Sequence, residues 1–196
     1  EGRAMVTAAR RYNRVFQTGS QQRSDDKFRY ACELVRNGRI GKIREVRTEV
    51  GSNPSCNWDP DEDPPAGLDW NMYLGPAKWV PFNKHRFIWD FRWFYDYSGG
   101  NLTDWGAHHN DIAQWGLGMD DTGPIHIDGK GSFPTSGLFD TPNTYEVAYT
   151  YSSGVKLICS SEGNSCVFYG TEGEISVNRG YLASKPAEII QVPIKD

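Results

Sequence analysis

The chain has 196 residues, 38% of them hydrophobic and 23% charged, the balance of an ordinary globular domain, and at this length about 70% of the extended-chain surface can be buried without disulfides or a structural metal. Its net charge of -4, with acids and bases intermixed, supplies no basic stripe and sets aside a nucleic-acid binder. No apolar run is long enough for a bilayer-spanning helix, and no basic leader with an apolar stretch opens the sequence, so a soluble chain is expected and its compartment stays open.

Met5, Val6, Ala9 and Tyr12 fall on one side of a helical pattern over Glu1–Tyr12 that has no capping residue before it. This abrupt opening predicts that more chain precedes it. Arg14–Thr18 (RVFQT) reads as a short strand ending at Gly19. Asp25–Asn37 reads as a helix with Phe28, Cys32 and Val35 along one stripe, closed by Gly38 in the way glycine closes helix C-termini. Ile43–Val50 reads as extended chain.

Ser52–Gly67 carries the run DPDEDPP at Asp59–Pro65, which has neither helical nor strand grammar. Its prolines hold the backbone away from the turn that a calcium-binding EF-hand loop needs, so it reads as a solvated loop. Leu68–Leu74 reads as a short helix, and an aromatic stretch follows from Pro81 to Tyr97. Seven Trp, ten Tyr and nine Phe, many of them between Trp58 and Trp115, exceed what a core alone needs. They point to a cleft walled by flat rings, for which carbohydrate is one fitting occupant.

From Ile125 onward the pattern changes to strands joined by tight turns. Tyr145, Val147, Tyr149 and Tyr151 alternate with Thr144, Glu146, Ala148 and Thr150, the period-2 pattern of a half-buried strand. Ser152-Ser153-Gly154 turns it, Val155–Ser160 returns, Val167–Tyr169 follows, Thr171-Glu172-Gly173 turns again, and Glu174–Asn178 continues. Helices followed by strands predict an α+β fold with a largely antiparallel sheet and helices on one face. Cys32, Cys56, Cys159 and Cys166 lack CxxC spacing. Cys159 and Cys166 are spaced to face each other across a hairpin, although free buried thiols are the preferred reading.

Ser98–Gly118 (SGGNLTDWGAHHNDIAQWGLG) carries the chemistry. Asn101 reads as the N-cap of a helix running to Gly118. At about 100° per residue, Asp104, His108, Asp111 and Trp115 share a wedge of about 60°. Leu102, Trp105, His109, Ile112 and Ala113 lie opposite and form the packing stripe. Oxidation of a secondary alcohol needs a base for the hydroxyl proton while hydride leaves carbon, and imidazole titrates nearest neutrality. His108 is therefore the candidate base, and Asp104 the acid that orients it or binds a neighbouring hydroxyl. Each also has a structural reading: Asp104 can complete a capping box after Asn101, His108 and Asp111 can be satisfied surface groups, and His109 a hydrogen-bonded core residue. Asp104, His108 and Asp111 have a spacing at which carboxylate and imidazole can share a metal ion, but no further clustered ligand accompanies them.

The run Gly99–Asp111 resembles the GG-x(3)-D-x(3)-H-x(2)-D signature in the second domain of Gfo/Idh/MocA oxidoreductases. FYGTEGEISVNRG, Phe168–Gly180, is similar to that family's GTEG-type hairpin, and HRFIWDFRWFYDYSGG, His85–Gly100, resembles an aromatic-rich subgroup. Glu1–Val50 is similar to the last helix, strand and crossover of the family's Rossmann domain. The resemblance implies two parts: residues 1–40, a remnant of the nucleotide-binding domain with its crossover helix, and residues 41–196, a substrate-binding and oligomerisation domain. The second part would have an open-faced, largely antiparallel sheet of the dihydrodipicolinate-reductase-like kind.

By the same resemblance Asp104 and His108 match the catalytic pair, which in the family works with a Lys of an E-K-P motif lying before the helix that opens this chain. Lys84, Arg86, Arg92, Trp93, Tyr95 and Asp111 are candidate substrate contacts, the arginines by hydrogen bonds and the rings by stacking on C–H faces. NAD or NADP is implied for the whole enzyme. Gly129-Lys130-Gly131 lacks the third glycine of GxGxxG and stands in strand-like surroundings, so neither cofactor nor metal is expected on this chain, which alone would be inactive. The implied partners are a small carbohydrate or polyol and further copies of the chain, as a homodimer or homotetramer through the open sheet face, with no nucleic acid and no membrane. Two other readings stand beside this one: a noncatalytic assembly or carbohydrate-binding module, and an NAD-dependent glycosidase of the same family.

Overall fold

The computed structural model describes residues 1–191. Its organising element is β1 (Ile43–Glu49), which lies in the middle of a seven-stranded sheet with β2 (His126–Ser132), β3 (Thr144–Thr150), β4 (Lys156–Ser160), β5 (Ser165–Gly170), β6 (Glu174–Val177) and β7 (Leu182–Lys185) in the order β2-β3-β4-β1-β5-β6-β7. Only the β1–β4 pair is parallel, and every other neighbouring pair is antiparallel. Four helices accompany the sheet among the described residues: α1 (Gly2–Arg11), α2 (Asp26–Arg36), α3 (Trp70–Leu74) and α4 (Trp105–Gly116).

One sheet face is apolar because alternate residues point the same way. On that face Val46 is in register with Leu157 and Phe168, and Phe168 with Ile175. Helices α2 and α4 cover it. The side chain of Asp25 caps α2 by accepting from the backbone N of Lys27 (2.9 Å) and Phe28 (3.5 Å), satisfying donors that have no partner inside the helix. Phe28, Ala31, Cys32, Leu34 and Val35 then enter the same core as Val46, Phe168 and Ile112 of α4. Helix α4 lies close over the sheet: a Cβ on Gly116 would come 2.5 Å from Cζ of Phe168. Thr48 Oγ1 of β1 also donates to Asn110 Oδ1 of α4 at 2.6 Å.

Several expectations need correction. Arg14–Thr18 forms no strand; it is irregular, with Val15 fully exposed, because no neighbouring chain offers a ladder to pair with. Cys159 and Cys166 do not face each other across a hairpin. Strand β1 enters between them, Thr48 is in register with both, and all four cysteines are free thiols. Strand β7 was not anticipated in the sequence. Much of the aromatic stretch builds loop cores instead of a cleft wall: Trp93 and Phe94 pack with Leu138 and Phe139, and Trp70 and Leu74 with Phe82. Trp70 Nε1 finds a partner in the carbonyl of Val80 at 2.8 Å.

Candidate active site

The approach to α4 is set by a side chain far away in sequence. Asn53 Oδ1 accepts from the backbone N of Asn101 at 2.7 Å, and its Nδ2 donates to the carbonyl of Pro142 at 2.8 Å. Gly100, at φ +67°, passes so near Asn53 that a Cβ would lie 2.7 Å from its Cγ, so glycine is required there on both counts. Asn101 is consequently not the N-cap of α4. It belongs to a 3-10 turn, Gly100–Leu102, and its amide donates to the carbonyl of Ser52 at 3.0 Å. Asp104 takes the N-cap position, yet its side chain makes no capping hydrogen bond, because Arg92 holds it.

The two faces of α4 separate as their spacing predicts for His109, Ile112 and Ala113, all buried. His109 Nδ1 donates to the carbonyl of Glu49 at 3.0 Å. Burial holds this imidazole below its usual titration range, which keeps it neutral and structural. On the opposite side, Arg92 Nη1 lies 2.5 Å from Asp104 Oδ2, and its guanidinium stacks over the rings of Trp89 (4.2 Å to the centroid) and Trp93 (5.5 Å). One turn along, His108 meets Gln22. In the amide orientation that matches donors to acceptors, Gln22 donates to His108 Nδ1 at 2.9 Å and accepts from Arg179 Nε and Nη2 at 3.0 Å each. The Arg179 guanidinium covers Trp105 at 3.9 Å from its centroid.

The remaining candidates have other partners. Asp111 is engaged by Arg23 in a two-pronged pair, Nε to Oδ2 and Nη2 to Oδ1, both 2.8 Å. Lys84 pairs with Asp59 at 2.6 Å. Trp93 is buried. Arg86 covers the ring of Phe94 at 4.3 Å and lines a hollow of about 510 Å³ with Tyr73, Phe91, Asp96 and Tyr97. Tyr95 is exposed beside Phe133, with ring centroids 6.0 Å apart. Five of the more pronounced hollows take no wall from Asp104 or His108, and both side chains are half-buried on the outer side of α4. Gln22 and Arg179 were not singled out in the sequence, and no local signal marks them, since both reach His108 from distant segments.

Among the described residues no group of three His, Cys, Asp or Glu is placed to hold a metal ion. Gly129 and Gly131 lie in β2, opposite Val147 and Tyr145 of β3. They are strand residues, not a loop opening a helix, and do not fit a pyrophosphate. No helix of the described residues is long and apolar enough to cross a membrane.

A model of an oxidoreductase family's C-terminal alpha/beta domain matches residues 53–187, more than half of the chain. No curated protein matches the sequence. The fold is similar to that of an aldose-aldose oxidoreductase from Caulobacter crescentus complexed with glycerol, at a TM-score of 0.61 and 18% identity over 93% of this chain and 48% of that one. It is similar to an NAD binding oxidoreductase from Klebsiella pneumoniae, at 0.62 and 18% over 93% and 46%. A third likeness is the WlbA dehydrogenase from Bordetella pertussis in complex with NADH and UDP-GlcNAcA, at 0.58 and 16% over 90% and 47%. The chain thus spans just under half the length of these three structures.

Proposed function

Because the chain belongs to the Gfo/Idh/MocA oxidoreductase family through its C-terminal alpha/beta domain, we propose that it is the substrate-facing half of a nicotinamide-dependent dehydrogenase acting on a sugar, a polyol or a related alcohol. The observation that carries this reading is the open side of α4, where Asp104 and His108 stand one turn apart, each held by a named partner, Arg92 and Gln22. His108 meets the reacting oxygen of the substrate. Asp104, its carboxylate fixed by Arg92, binds a neighbouring hydroxyl as acceptor. Arg92 and Arg179, each stacked on a Trp ring, keep the flanks polar and suited to further hydroxyls. Lys84, Arg86 and Tyr95 lie farther out in this reading, Trp93 supports Arg92 from beneath, and Asp111, one turn after His108, serves mainly to tie Arg23 to α4.

NAD or NADP supplies the hydride acceptor or donor when bound. We place it on a nucleotide-binding domain of which residues 1–40 form the closing part, with α2 as the element that joins that part to the sheet core. The open face of the sheet, which carries the cross-strand pairs Lys130–Glu146 (3.2 Å) and Lys185–Glu174 (2.8 Å) around half-buried Ile158, Val167 and Tyr169, is proposed as the surface where copies meet.

The test is a hydride-transfer assay of the full-length enzyme over a panel of sugars and polyols with both dinucleotides, with product analysis. Net formation of reduced dinucleotide supports the reading. Glycoside cleavage without net reduction, or sugar binding without any turnover, overturns it.

A further inference from the structure

From the hydrogen bonds around Arg179 we infer that His108 rests as the neutral tautomer with its proton on Nε2, and that Gln22 is the positioning residue that holds it so. A guanidinium only donates. Nε and Nη2 of Arg179 both reach, at 3.0 Å, a single terminal atom of the Gln22 carboxamide, and that atom must therefore be its oxygen. The amide nitrogen is then the atom 2.9 Å from His108 Nδ1. An amide NH2 also only donates, so Nδ1 must accept with its lone pair, and the one proton of the neutral ring is left to Nε2.

Three features keep the relay from reversing. Turning the amide over would set its NH2 against two guanidinium donors. Gln22 is only 7% exposed, so water cannot readily replace a lost partner. Arg179 is itself fixed by Trp105 beneath it and by the turn that carries it, where Asn178 Oδ1 accepts from the backbone N of Gly180 (2.7 Å) and Tyr181 (3.0 Å).

Among the described residues His108 makes no other hydrogen bond, which leaves Nε2–H free for a ligand. The inference rests on the reading that His108 meets the substrate oxygen, and it deepens that reading. A ring in this state offers a donor, not a base. It is matched to an oxygen that needs a hydrogen bond, a carbonyl being reduced or the oxyanion related to it, as a neutral imidazole can serve when its surroundings hold it uncharged. The substrate class it selects at this position is an acceptor oxygen.

The tautomer can be read directly from long-range 15N–1H correlation spectra of the 15N-labelled chain, taken well above the usual imidazole range of about 6.5. His108 is assigned by the signals lost in His108→Asn. We expect the Nε2-protonated pattern in the wild type. We expect Gln22→Glu, nearly isosteric, to move the proton to Nδ1, because a carboxylate accepts both from Arg179 and from the ring. A wild-type ring protonated on Nδ1, or a Gln22→Glu ring still protonated on Nε2, overturns the inference. If Gln22→Glu fails to fold, Arg179→Met frees the amide to turn: a mixture of tautomers supports the relay, and an unchanged Nε2–H pattern overturns it. None of these spectra needs turnover. A tautomer as inferred together with unimpaired hydride transfer by His108→Ala would sink the dehydrogenase role of His108 and leave the relay standing.

Discussion

Arg92 Nη1 lies 2.5 Å from Asp104 Oδ2 while its guanidinium is stacked over Trp89 and Trp93, so the carboxylate at the start of α4 is held by a cation that is itself held by two rings. Lysine has neither the plane to stack nor the fork to grip. Arg92→Lys in the full-length enzyme is therefore expected to lower kcat/KM by about tenfold. Arg92→Ala, which removes a charge-assisted hydrogen bond of about 1.5–3 kcal/mol, is expected to lower it by roughly 10- to 100-fold. Steady-state kinetics check both, and equal activity of Arg92→Ala and wild type would remove Arg92 from the site.

The close approach of α4 to the sheet gives a stability prediction. Gly116→Ala gains about 1 kcal/mol of helix propensity, but the new Cβ falls 2.5 Å from Cζ of the fully buried Phe168, and overpacking of this kind costs about 1–3 kcal/mol. The steric term wins where the ring cannot yield. Urea unfolding should show a lower midpoint for Gly116→Ala, and an unchanged or higher midpoint would mean that Phe168 has room to move.

What could be read from the sequence was local. Asp25 and Gly38 bracket α2, the Tyr145–Tyr151 alternation marks β3, and the spacing of His109, Ile112 and Ala113 identifies the packing face of α4. What could not be read depended on distant partners. Val15 and Phe16 have strand-like character but nothing pairs with them. The insertion of β1 between β4 and β5 is a non-local choice that no spacing reveals, and it separates Cys159 from Cys166. Asn101 has the residue type of a cap, but the amide of Asn53 draws its backbone into a 3-10 turn. Gln22 and Arg179 act on His108 from segments far from α4 in sequence.

Arg23 joins Asp111 and Asp120, and the consequence should depend on pH. The hydrogen bond from Arg23, together with its charge, holds the Asp120 carboxyl below the usual range. A depressed folded value means that this stabilisation is present above the unfolded value, about 3.9, and is lost as pH falls through the lower folded one. Asp120 is 46% exposed, so the pair contributes on the order of 1 kcal/mol or less. Arg23→Met should be less stable than wild type at neutral pH, with the gap in denaturation midpoint narrowing below about pH 4. A gap that stays constant through acid would show that Arg23 stabilises by packing on Trp115 instead.

The thiols give a chemical check on the core. Burial pushes the Cys32 thiol up to about 12 and raises those of Cys159 and Cys166, and since only the thiolate reacts, these three should be inert in the folded chain. Burial raises the Cys56 thiol as well, but Cys56 is half-buried and is the one of the four that solvent reaches. A disulfide-exchange reagent should modify one thiol in the native protein, lost in Cys56→Ser, and four after denaturation. Only two on denaturation would reveal a disulfide, against the four free thiols of this fold.

The role proposed for the α4 face carrying His108 and Asp104 is the chemistry of an alcohol dehydrogenase. Its most direct test is hydride transfer by the full-length enzyme carrying His108→Ala, with the thermal midpoint measured in parallel. A loss of about 100-fold or more in kcat is expected, the scale of a positioned proton or hydrogen-bond donor at the reacting oxygen, with the midpoint little changed because His108 lies outside the buried core. Full turnover by His108→Ala on a sugar or polyol substrate of the wild type, in either direction, would overturn that role.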